Sequence, residues 1–229
     1  MGSVNLIVAE ECTKLGLLAG AILFRNVRVS VASAALRSEI AQEVTAIRAR
    51  FADRQAVRRS PEVAAFREIL RKVGVSARGE QCSVERLLTF ALKRCDLPTV
   101  NSLVDAYNLV SIRYFCSLGA HDLDALVLPV SLRLLNGTES FTPLGRTTQA
   151  AVAAGEYGYV DARGRVLCRL DVLQADFSKV RASTVNAFLI IEATAAHPAD
   201  LIRRSFADAA DMIIRHCGGS AQVVCSPPA

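Results

Sequence analysis

Residues 97–126, LPTVNSLVDAYNLVSIRYFCSLGAHDLDAL, constrain this chain more than any other stretch. Asn101, Asp105 and Asn108 recur at spacings of four and three residues, which on a helix aligns them along one face. Val100, Leu103, Val104, Tyr107 and Val110 supply an apolar stripe beside or opposite that row. The spacing predicts a helix over 99–112, stiffened at its start by Pro98. Ser117-Leu118-Gly119 then reads as a turn, followed by His121-Asp122-Leu123-Asp124. A helix that buries Asp and Asn must satisfy each of them with hydrogen bonds. A plain scaffold helix avoids that cost, so the stretch marks a site.

The rest of the pattern divides into helices first and strands later. A short helix is expected over 8–14. A strand over 17–24 and its partner over 27–31 read as a hairpin turning at Asn26. Residues 34–59 form one helical pattern with apolar positions at Ile40, Val44, Ile47 and Phe51. Ser60-Pro61 opens a helix to about residue 73, closed by Gly74. Ser83 caps another over 84–94. From 127 the period changes. A strand over 127–135 turns at Asn136-Gly137 into 139–141, and strands over 157–160 and 166–170 flank Asp161-Ala-Arg-Gly164. Between them lies a loop with a short helical piece near 147–153. A strand over 185–191 leads to an amphipathic helix over 198–217, with Leu201, Phe206, Ala210, Ile213 and Ile214 inward, and a loose tail. This order predicts an α+β fold with mostly antiparallel sheets flanked by helices, in a single domain over 1–229.

At 52% apolar residues the 229-residue chain can build a sizeable core. The absence of Trp and an aromatic content of 6% argue against a base-stacking platform for single strands. Net charge is +5, and residues 1–100 carry 16 Lys/Arg against 10 Asp/Glu, so the basic excess lies in that half. Arg50, Arg54 and Arg58 stand four apart on the predicted 34–59 helix. Two readings fit that ridge: contact with phosphates, or a solvated helix face. Seven cysteines without a C-x-x-C or a Cys/His cluster point to free thiols in a reducing cytoplasm and give no metal site. The apolar run over 15–24 is too short to span a bilayer, and no signal peptide or membrane association is expected.

The run P-x-x-N-x-x-V-D-x-x-N over 98–108, followed by D-L-D-x-L at 122–126, resembles the B3/B4 domain of the bacterial phenylalanyl-tRNA synthetase beta chain. The likeness continues through Leu132-Arg133, Gly137-Thr138-Glu139, 141–144, Asp161-Ala-Arg-Gly164 and 183–192. It covers 60–217, leaving 1–59 as a strand pair and basic helix packed on that core. With the rest of a synthetase absent from the sequence, the chain reads as a free-standing member. The resemblance implies an editing hydrolase that frees a wrong amino acid from its tRNA, with no cofactor and with a mischarged tRNA as partner. It also places the site in a cleft between sheets and helices.

The same resemblance suggests site residues. A gapless count back from Thr184 sets Asp176 where the synthetase domain carries its editing-site glutamate, in a segment of the form G-G-E-x-S. Here that segment is Gln174-Ala175-Asp176-Phe177-Ser178, without either glycine. The family's site histidine falls on Gly119, while His121 replaces a phenylalanine, so His121 is expected to point into the cleft as base or hydrogen-bond donor. Thr184 is a candidate water-positioning hydroxyl. Asp105, Asn108, Asp122, Asp171 and Asn186 complete the expected substrate site, with Asp105 and Asp122 open to a structural reading. Asp171 matches no polar residue of the synthetase type. Two carboxylates, Asp171 with Asp176, would suit a guanidinium-like side chain. That fits free-standing B3/B4 proteins that resemble deacylases for arginine tRNA mischarged with canavanine. The alternative is a module that binds tRNA or an amino acid without hydrolysis.

Overall fold

The computed structural model describes residues 5–74 and 81–227. Two sheets face each other. The first contains β1 (Leu6–Val8), β4 (Val130–Leu134), β5 (Tyr157–Val160), β6 (Val166–Arg169) and β7 (Leu173–Gln174) in that spatial order. Its β1–β4 pair is parallel and the others antiparallel. The second runs β3 (Ser117–Asp122), β8 (Ala187–Thr194), β2 (Leu17–Arg25), β9 (Ser220–Cys225), all antiparallel. The helices are α1 (Glu10–Leu15), α2 (Ala34–Arg50), α3 (Arg54–Arg58), α4 (Pro61–Lys72), α5 (Ser83–Arg94), α6 (Ser102–Tyr114) and α7 (Ala199–Cys217). The architecture is α+β, as the sequence predicts. Among the described residues no helix is long and apolar enough to cross a membrane.

Helix α6 lies at the centre, buried on nearly every side. Such a helix needs apolar residues all round rather than a stripe, and Leu103, Ala106, Leu109, Val110 and Ile112 provide them. Its polar residues divide into separate tasks. The Asn101 side chain caps the helix by accepting from the Val104 N–H at 2.9 Å. Asp105 Oδ1 accepts from the Val100 N–H at 2.8 Å and so pins the preceding loop. Asn108 sits one turn further along and faces a cavity.

Several elements differ from expectation for physical reasons. Strand β2 lies between β8 and β9, and residues 27–31 form no strand. They instead tie down both flanks, Arg28 N–H donating to Cys217 O and Ser102 N–H to Ser30 O. The helix expected over 34–59 breaks after Arg50. Phe51 turns inward against Phe115 in an edge-to-face pair at 5.8 Å, and Asp53 restarts α3 by capping Ala56 N–H at 2.8 Å. The Asn136-Gly137 turn makes no hairpin, because Glu139 curls under it and accepts from both backbone N–H groups while pairing with Arg133. Strand β4 pairs with β5 instead. No helix forms near 147–153, the Ser117–Gly119 turn is part of strand β3, and the tail is strand β9. On α7 the inward set is Ile202, Ser205, Phe206, Ala209, Met212 and Ile213, while Ile214 is 38% exposed.

Gly20 on β2 allows Phe206 of α7 to seat on the sheet. A Cβ there would lie 2.4 Å from the Phe206 ring and 2.5 Å from the Cys225 carbonyl oxygen. The carbonyl belongs to β9 backbone and cannot swing aside, so Gly20→Ala is expected to lower stability by about 1–3 kcal/mol through overpacking. A urea midpoint equal to that of the wild type would contradict this packing.

Candidate active site

A cavity of about 230 Å³ opens between the sheets beneath α5 and α6. Its walls combine Ser83 and Arg86 of α5, Tyr107 and Asn108 of α6, and Ser117, Leu118, Gly119 and His121 of β3. Tyr159 of β5, Cys168 of β6, Asp171, Gln174 and, from β8, Ile190 and Glu192 complete them. Cross-sheet hydrogen bonds hold these walls together. Gln174 Nε2 donates to Ala120 O at 3.0 Å, and Asp122 N–H donates to Ser178 O at 2.7 Å. Asp171 Oδ2 accepts from the Ser83 N–H at 3.0 Å and from the Ser117 hydroxyl at 2.5 Å. Leu170 and Asp171 both adopt left-handed backbone, φ 54° and 58°, and so make the sharp bend that aims Asp171 inward.

His121 and Glu192 in this wall are strongly perturbed. His121 is 2% exposed, its Nδ1 lies 2.9 Å from the Ser178 hydroxyl, and burial pushes its pKa down to about 4. It is therefore a neutral imidazole at pH 7. Glu192 is 1% exposed, and burial together with the nearby Asp171 charge raises its pKa to about 8. Its Oε2 accepts from the Tyr159 hydroxyl at 2.6 Å, and its Oε1 lies 3.4 Å from the Tyr157 hydroxyl. The Asn108 amide, 8% exposed, has no side-chain hydrogen-bond partner among the described residues. Gly119 opens onto the cavity, and a Cβ there would meet nothing within 4 Å. Among the described residues no group of three His, Cys, Asp or Glu could hold a metal ion.

The B3/4 domain profile matches residues 65–218. The chain belongs to the B3/4 domain family. A crystal structure of an N-terminal fragment of the phenylalanyl-tRNA synthetase beta-subunit from Pyrococcus horikoshii is similar, with a TM-score of 0.52 and 13% identity. The alignment covers 96% of this chain and 50% of that one, so this chain spans about half the length of that fragment. At this identity the likeness shows the fold. Comparison with curated proteins finds no match.

This B3/4 domain brings together part of the residue set expected from sequence. Asn108, His121 and Asp171 share the cavity. Asp176 is not on its wall. It sits on the adjoining loop, where Oδ1 accepts from Lys179 Nζ at 2.7 Å and from the Gly145 N–H at 2.9 Å. The Lys179 hydrogen bond, then that of Gly145, holds its carboxyl below the usual range. Thr184 donates to Asp122 Oδ2 at 2.8 Å and accepts from the Arg181 N–H, and Asn186 donates to both Asp124 oxygens. These form a clip that fastens 122–124 to 181–186, outside the cavity. Asp105 is a loop anchor, its pKa raised by burial against the opposing Val100 N–H bond.

The arginine ridge also dissolves, because the helix that would carry it breaks. Arg50 stacks 4.4 Å over the Phe115 ring, and Arg58 pairs with the buried Glu85 at 2.8 Å. Arg54 lies 3.8 Å from the same carboxylate, which Arg67 also pairs. Burial alone would raise Glu85, but hydrogen bonds from Arg58 and Arg67 hold it below its ordinary value. Sequence reasoning missed Glu192, Tyr159, Ser117 and Gln174. Glu192 did leave a signal: it is a charged residue inside an eight-residue strand buried at every position.

The raised Glu192 value fixes the sign of a stability effect. Folding favours its protonated form, so its contribution is fully present below pH 4.5 and is lost as pH rises through about 8. Glu192→Gln is expected to remove that part of the decline. Urea midpoints measured below and above this window should separate less in the variant than in the wild type, and equal separations would contradict the assignment.

Proposed function

We propose that the cavity receives the aminoacyl group of a mischarged aminoacyl-tRNA and that the protein hydrolyses the ester in trans. The observation that supports this most is the convergence of Asn108, His121, Asp171 and Glu192 on one hollow of about 230 Å³ between the sheets. That volume lies below the ~300–1,000 Å³ of sites for drug-sized ligands, so it suits an amino acid rather than a nucleotide. Apolar fit separates side chains differing by a methylene by only about 1–3 kcal/mol, which is why a second, hydrolytic selection has a use.

The chemistry asked of the site is modest, because an aminoacyl ester is already activated. Position and electrostatic stabilisation suffice. In this reading the Asn108 amide donates to the carbonyl oxygen as it gains charge. Neutral His121 orients the attacking water, a role that fits a ring with a pKa of about 4 better than strong general base catalysis does. Asp171 and Glu192 take N–H donors from a cationic side chain of the guanidino type, as in canavanine carried by arginine tRNA. A second reading, capture of the aminoacyl group without turnover, draws on the weakly basic His121 and on the position of Asp176 off the cavity wall.

The deciding assay follows release of amino acid from a panel of mischarged tRNAs. Wild type is expected to deacylate at least one, and Asn108→Ala to lower kcat by about 10²–10³-fold, as for loss of one oxyanion donor. Gly119→Val should fold normally, since β3 favours a β-branched residue, yet block the cavity and abolish turnover. Binding without release by the wild type would establish the second reading. Turnover that survives Gly119→Val and Asn108→Ala but fails in Asp176→Ala would move the site to the 176 loop.

A further inference from the structure

Glu192 is a buried acid whose neighbours do not neutralise it. Tyr159 and Tyr157 of β5 hydrogen-bond it, and neither carries positive charge. The other groups facing it are Asp171, Cys168 of β6 and Cys12 of α1, with His121 of β3 and Arg86 of α5 elsewhere on the cavity wall. Arg86 has interactions of its own. No ion pair to Glu192 occurs among the described residues, yet its carboxyl lines a hollow that ligand can enter.

We infer that Glu192 is a proton-exchanging receptor for organic cations: it holds a proton while the cavity is empty and releases that proton to solvent when a cationic N–H donor arrives. The bond broken is the carboxyl O–H, the proton passes to water or buffer, and the ligand's N–H groups donate to the carboxylate left behind. Cavity charge is thereby unchanged on binding, and the charge that the ligand brings is balanced by the carboxylate it creates. A neutral ligand displaces no proton, so Glu192 sorts cations from neutral isosteres in a pH-dependent way. The inference rests on the reading of this cavity as the aminoacyl pocket.

The raised value of about 8 for Glu192 supports the protonated resting state at neutral pH. His121 titrates near 4 and burial lifts Cys168 well above its ordinary value, so neither competes in that window. Linkage then sets the size of the effect: with one proton released, cation affinity rises about tenfold for each unit by which pH increases toward the Glu192 value and levels off above it.

Calorimetric titration of the full chain tests this, with N-acetyl-L-arginine amide as the cationic probe and N-acetyl-L-citrulline amide as its neutral isostere. Running each near neutral pH in phosphate and in MOPS, whose ionisation enthalpies differ, counts the protons released. The expected result is close to one proton for the arginine probe and none for the citrulline probe. Glu192→Gln should lose both the release and the pH slope. Should that variant not fold, the proton count and the ¹³C carboxyl titration of Glu192 in the wild type decide alone. Arginine-probe binding without proton release, or release that persists in a folded Glu192→Gln, overturns the inference while leaving the aminoacyl pocket standing. Failure of both probes alongside active deacylation overturns cation receipt only, whereas failure of probes and deacylation together overturns both.

Discussion

The two sheets meet across a polar contact set in an apolar interior: Glu192 of β8 with the hydroxyls of Tyr159 and Tyr157 on β5. Strand β8 is buried at all eight positions and is hydrogen-bonded on both edges, to β3 and β2. A carboxyl in such a strand meets solvent only through the hollow it lines, so in the empty cavity it must stay protonated or find donors. The tyrosines supply donors, and in doing so fix how β5 faces β8. The hollow beside them persists because Gly119, in the neighbouring strand β3, puts no side chain into it.

The remaining cross-links serve that hollow. Asp171 reaches Ser83 at the start of α5 and Ser117 at the start of β3, so one bend ties a helix and a strand to the rim. Gln174 and Ser178 fasten the following chain to β3 through Ala120, Asp122 and His121. The wall is therefore held by hydrogen bonds between distant segments rather than by a single element. Substitutions in β3, the 171–178 segment or the start of α5 bear on the same cavity.

How far the sequence revealed this differs by residue. The Asn101–Asp105–Asn108 spacing located α6 because helical periodicity is local, and the family resemblance over 60–217 anticipated a matched region of 65–218. Asn108, His121 and Asp171, singled out from the sequence, do share one cavity wall. Asp176 lies off that wall: a count along the chain carries no information on which way a loop turns, and this carboxylate is held by Lys179 and Gly145. The break at Phe51 was hidden because Phe51 fits a helical apolar position as well as it fits the pocket beside Phe115. Strand β9 was invisible for a related reason: it exists through pairing with β2, and its own residues are largely exposed. Glu192 was within reach, since a lone acid in a run of apolar strand residues requires explanation by itself.

In the proposed function the inter-sheet hollow, and not the 176 loop, receives the aminoacyl group. A crystal structure of the protein soaked with a non-hydrolysable aminoacyl-adenosine amide tests it most directly. The expected density has the amino-acid moiety among Asn108, His121, Gly119 and Glu192, with the adenosine outside the mouth. Density for that moiety beside Asp176 and Lys179, with the hollow empty, would contradict it.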